Sequence, residues 1–167
     1  MSRIRALLLL TCTSLTWAAL PSAAHAEGQD KGVFGAGLIV GEPTGLSLKY
    51  YLGDDTAIDG AIGGAFLGKG LQVHADFLWH PWILESKPSF ALPAYVGLGA
   101  RVLDRNGGGG DEDHFRIGAR FVGGLLFDFR EVPLDVFVEV AGVTDYRTKG
   151  SAFGLDINLG AGVRYYF

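Results

Sequence analysis

Cysteine is almost missing from this chain: among 167 residues the single copy is Cys12. A disulfide framework and a cysteine-based metal site are thereby excluded. Charged side chains make up 19%, below the ~25% of an ordinary soluble domain. Long apolar runs are lacking too, and nothing approaches the ~18 residues that a membrane-spanning helix needs. From Lys31 onward no stretch keeps the helical spacing of apolar residues. Proline is scarce at six, and the 26 glycines follow no three-residue period, so a collagen-like chain is excluded. With 49% apolar and 12% aromatic residues, the chain is not a disordered tail either. Lysine and arginine total 14 against 18 acids, and no basic stripe exists, so nucleic acid is not an expected partner. The run Gly107 to Gly110 is followed by neither Lys-Ser/Thr nor a helix, so it is no phosphate cradle. Asp104 to Gly107 is a fragment of a calcium loop and no more, and the 104–114 stretch reads as a surface loop without metal.

What is present begins with a leader. Arg3 and Arg5 precede an apolar stretch from Ala6 to Leu20, and Ala24-His25-Ala26 is a small-x-small cleavage site. Residues 1–26 therefore read as a cleaved secretory signal peptide, leaving 27–167 as one domain. Cys12 departs with the leader, and Leu9-Leu10-Thr11 before it lacks the small residue of a lipidated cysteine. Losing Arg3 and Arg5 raises the acidic excess from four to six.

Beyond the leader the hydrophobic period is two. The alternation predicts strands at 32–41, 44–52, 56–66, 70–80, 90–103, 114–129, 134–144 and 152–167. Most connections carry Gly, Pro, Asp or Asn, whose dihedral preferences suit turns. The fourth connection, Pro81 to Ser89, is longer than the first two on the opposite side, Gly41 to Pro43 and Leu67 to Lys69. So much strand in one domain requires a closed barrel.

Alternation alone fits a soluble barrel with a polar exterior or a membrane barrel with a polar lumen. Glycine decides between them. Gly97, Gly99, Gly118, Gly124, Gly154, Gly160 and Gly162 lie on the polar face, with Ala57, Ala61, Ala65 and Ala91. A solvated face has no use for small residues, whereas the interior of an eight-stranded barrel is barely wide enough for side chains. The polar face is thus expected inside, as a paired network. Its cations are Lys49, Arg101, Arg116, Arg120 and Arg164, and its acids Asp59, Asp76, Asp128, Asp135, Glu139 and Asp156, with His74 among them. Five against six is nearly balanced, as burial requires. An even strand count puts both termini on one side. Tyr50/Tyr51, Trp79/Trp82, Phe90, Phe127/Phe129 and Tyr165/Phe167 would form a girdle there, and Phe66, Phe115, Tyr146 and Phe153 one at the far side.

The ending Gly160-Ala161-Gly162-Val163-Arg164-Tyr165-Tyr166-Phe167 resembles the assembly signal of bacterial outer-membrane β-barrels. The segment Gly41-Glu42-Pro43-Thr44-Gly45-Leu46-Ser47-Leu48-Lys49-Tyr50-Tyr51-Leu52 is similar to one that recurs in small outer-membrane barrels. The chain from residue 27 onward as a whole resembles the small eight-stranded outer-membrane barrels of the OmpX and OmpA transmembrane-domain type. That resemblance implies an all-β, eight-stranded antiparallel up-and-down transmembrane β-barrel located in the cell outer membrane. Tyr165 and Phe167 would be read by the barrel-assembly machinery, and the implied partners are periplasmic chaperones, outer-membrane lipid and lipopolysaccharide. No cofactor is implied. The expected role is structural or surface-interacting, with a closed lumen. The alternatives are a narrow transport or hydrophobic-ligand barrel and a lipid A-modifying enzyme. For the enzyme the candidate is His74 with Asp76, a base and its orienter two residues apart, with Ser47 as the serine whose register must fit. A lumen histidine held by its neighbours is the favoured alternative, and no catalytic residue is expected.

Overall fold

A computed structural model describes residues 31–65, 70–105, 114–147 and 152–167. The expected leader, Phe66 and most of the 104–114 loop lie outside the described residues. Strict apolar-polar alternation commits the chain to extended segments, and eight form. They are β1 (Phe34–Gly41), β2 (Thr44–Tyr51), β3 (Thr56–Gly64), β4 (Leu71–Ser86), β5 (Phe90–Arg105), β6 (His114–Phe129), β7 (Leu134–Arg147) and β8 (Ala152–Tyr166). Each pairs antiparallel with the next, and β1 pairs with β8, closing the barrel in sequence order. Closure leaves no free ladder over the height where β1 meets β8, which is what makes so high a strand content sustainable. Above Gly41, which pairs with Gly160, the start of β8 has β7 as its ladder partner.

Three strands outrun their expected ends, β5 by two residues to Arg105 and β4 and β7 by more. β4 passes Pro81 and continues to Ser86, so the expected Pro81–Ser89 connection is corrected to the turn Lys87-Pro88-Ser89. Proline cannot donate to a ladder, so it reads as a strand end. Here the register shifts between Trp79, opposite Val96, and Trp82, opposite Ala94, and that irregularity absorbs Pro81. Every described connection at the end holding Phe167 (52–55, 87–89 and 130–133) is therefore short. β7 likewise runs to Arg147 and draws Asp145, expected in a loop, into the sheet opposite Gly118 and Gly154.

The pleat turns the molecule inside out relative to a soluble domain. Leu38, Leu46, Phe77, Leu98, Phe121 and Val138 are among the many large apolar side chains exposed on the outer wall. Charged exceptions among the described outward positions, Glu85 and Asp104, stand near strand ends. Inside, the largest fully buried side chains are Arg101, Arg120 and Arg164. A small apolar cluster that includes Ile39, Leu78, Tyr95, Leu126 and Phe137 fills the space between them. At the end that carries Phe167, Phe34, Tyr50, Trp79, Trp82, Phe127 and Tyr165 ring the outside. Tyr51 does not join them: one pleat step from Tyr50, it turns inward and packs 5.9 Å from Tyr166 and 5.8 Å from His80.

Candidate functional site in the barrel lumen

Three arginines organise the lumen from one end to the other. Toward the 41–44 connection, Arg101 on β5 pairs with Asp145 through Nη2 and reaches Asp156 Oδ2 at 2.8 Å. Its Nη1 donates to Asn158 Oδ1 at 2.9 Å, and the Asn158 amide donates on to Glu42 Oε2 at 3.3 Å. At mid-height, Arg120 on β6 donates through Nε to Asp76 Oδ2 at 2.7 Å and through Nη2 to Glu139 Oε1 at 2.5 Å. The Tyr95 hydroxyl donates to the other Glu139 oxygen at 3.3 Å. Nearer the chain terminus, Arg164 on β8 donates to Asp135 Oδ1 at 3.3 Å and Asp59 Oδ2 at 3.2 Å. Its guanidinium lies 3.9 Å from the Phe137 ring centroid, a stacked cation–π contact. Tyr166 donates to Asp135 Oδ2 at 2.5 Å. A guanidinium's planar fork suits such multiple carboxylate contacts.

Lysine closes the terminus end. Lys49 Nζ lies 2.9 Å from His80 Nε2 and 4.7 Å from the Tyr51 ring centroid. A proton on His80 Nδ1 suits the 3.1 Å approach to the Asp55 carbonyl and leaves Nε2 to accept from Lys49. Lys31, just before β1, donates to Asp128 Oδ1 at 2.6 Å.

The residues picked out by alternation are thus largely brought together. Lys49, Asp59, His74, Asp76, Arg101, Arg120, Asp128, Asp135, Glu139 and Arg164 are all buried in the lumen, while Arg116 and Asp156 are half-buried nearer the rim. Tyr165 and Phe167 are exposed on the outer wall, with ring centroids 5.1 Å apart. Two further acids join the lumen residues. Glu42 and Asp145, expected in connections, are buried as well. Among the described residues, seven buried acids face Lys49, Arg101, Arg120, Arg164 and the buried side chain of Lys31. Gln72, His80 and Asn158 also belong to the interior; alternation put them on the polar face, but polarity alone did not mark them as network members.

His74 Nε2 stands 4.0 Å from Asp76 Oδ2, beyond hydrogen-bond reach, and Arg120 holds that same oxygen. Ser47 and His74 pair with Ala61 from opposite sides, so two strand spacings, about 9.5 Å, separate their backbones. No hydrogen bond joins Ser47 to His74 among the described residues. Comparison of the chain with protein-family models, curated proteins and solved structures gave no match.

Proposed function

We propose that this chain is a small integral barrel of the cell outer membrane, of the OmpX and OmpA transmembrane-domain kind, with a structural or surface-interacting role. The observation that carries the reading is the inversion of polarity. Arginine, lysine and carboxylates fill the interior while Leu, Val, Ile and Phe coat the wall. In water such a wall is an aggregation surface; against acyl chains it is the favourable face. The aromatic rings at the end of Phe167 fit the interfacial girdle of such barrels. Ion pairs spanning the lumen support a closed barrel over a conducting one, and the sequestered His74 and Asp76 support a role without catalysis.

Fractionation combined with heat-modifiable gel mobility tests this. The chain should sediment with outer membranes and migrate faster unboiled than boiled. Recovery in the soluble periplasmic fraction overturns the proposal. In planar bilayers the folded protein should show no discrete conductance steps; steady steps would favour the narrow transport barrel.

A further inference from the structure

We propose that Asp59, His74 and Asp76 hold one divalent first-row transition-metal ion, zinc foremost, inside the lumen. Strand register creates the site. Asp59 on β3 pairs directly with Asp76 on β4, and His74 stands two residues before Asp76 on the same inward face. Two carboxylates placed opposite one another repel, so their conjunction needs a cation. The arginines meet that need by halves. Arg164 takes Asp59 Oδ2 and Arg120 takes Asp76 Oδ2, while both Oδ1 atoms are buried without a hydrogen-bond partner. His74 Nδ1 is likewise buried and unpartnered. All three residues are at most 5% exposed. Unsatisfied polar atoms on three neighbouring residues are costly to bury, and an ion held by those residues lowers that cost.

Geometry and donor chemistry agree with a metal. One donor atom from each residue lies within 4.8 Å of the other two. Zinc binds such donors at about 2.0–2.2 Å, which puts the donors about 3.4 Å apart, so about 1.5 Å of closure at most is required. Arg120 and Arg164 orient the carboxylates through their other oxygens, as outer-shell partners of metal ligands do. One imidazole with two carboxylates selects zinc, manganese or iron over calcium, which takes six to eight oxygens. Gln72, two residues before His74 on the same face, is likewise fully buried with both amide atoms unpartnered. The ion would tie β3 to β4 and complete the closure of the lumen, whether the barrel lies in a membrane or in water.

The test uses the protein purified from cells as the cell leaves it, then unfolded and refolded with Co²⁺, since buried ligands are reachable during assembly. After gel filtration the folded wild type should retain about one Co²⁺ per chain, with ligand-field absorption in the visible. His74→Ala should lower the retained cobalt about tenfold or more. His114→Ala should keep it. If His74→Ala does not fold, X-ray absorption of zinc-loaded wild type decides, and imidazole scattering is the expected signature. Metal-free folded wild type, equal cobalt in folded His74→Ala, or a zinc spectrum without imidazole overturns the site.

Discussion

Asp76 on β4 and Arg120 on β6 meet across β5, where the residue opposite both is Gly99. Arg101 and Asp145 meet in the same way across Gly118, and Tyr95 and Glu139 across Gly124. In a narrow barrel a pair on alternate strands must pass over the inward position of the strand between them. A side chain there blocks the path, and glycine opens it. A Cβ on Gly99 would run into the Asp76 carboxylate and the Ala75 carbonyl, one on Gly118 into Asp145, and one on Gly124 into the Tyr95 ring.

Gly99→Ala should therefore destabilise the folded barrel by about 1–3 kcal/mol through overpacking. Gly154→Ala, also inward but with nothing within 4 Å of the added carbon, should change stability by less than about 0.5 kcal/mol. Urea unfolding of the refolded proteins, read by the unboiled gel shift, compares them. Equal stability of the two variants would contradict this role for glycine.

Arg120→Leu should cost about 3–5 kcal/mol, because it strands the Asp76 and Glu139 carboxylates in the interior. The triple variant Arg120→Leu, Asp76→Asn, Glu139→Gln should regain most of that loss. The same unfolding experiment measures both. A triple variant no more stable than the single would show that the charges are not stranded.

Leu98→Arg places a charge midway along the outward face of β5, where Leu98 is exposed. In a bilayer it should cost about 2–4 kcal/mol, and Leu98→Ala much less. Folding equilibria in lipid vesicles supply the comparison. Indifference to arginine at this position would argue for water outside the wall.

Phe167 donates its backbone N–H to the Phe34 carbonyl at 2.9 Å and packs against Tyr165. Phe167→Ala removes an exposed ring and leaves this ladder contact. It should lower the amount assembled in the outer membrane severalfold, while the purified, refolded protein stays within about 1 kcal/mol of wild type. Equal assembly in cells would contradict a role for this residue as an assembly signal.

Much of this fold is written in the period of two. The inward set from Asp135 to Glu139, or from Asn158 to Arg164, can be read without coordinates because a one-residue slip would expose every charge. The ends of strands are less legible, since they depend on local exceptions. Pro81 signals a stop that the β4 irregularity cancels, and Asp145 resembles a turn residue until Arg101 claims it. Pairing across strands is not legible at all. Nothing in the chain order predicts that Asp59 faces Asp76, or that Ser47 and His74 lie on either side of Ala61. The register, which no single strand contains, builds the candidate metal site and separates the serine from the histidine.

The proposed outer-membrane location requires the apolar wall to face lipid. With Cys12 in the expected leader, the rest of the chain has no thiol, so single cysteines can carry spin labels without background. Labels at Leu98→Cys and Val138→Cys, both on the outer wall, are compared in vesicles with Glu131→Cys in the β6–β7 turn. The prediction is high collision rates with oxygen and low rates with a water-soluble nickel chelate at the two wall positions, and the reverse in the turn. Nickel access at Leu98→Cys and Val138→Cys equal to that at Glu131→Cys would contradict a membrane-embedded barrel.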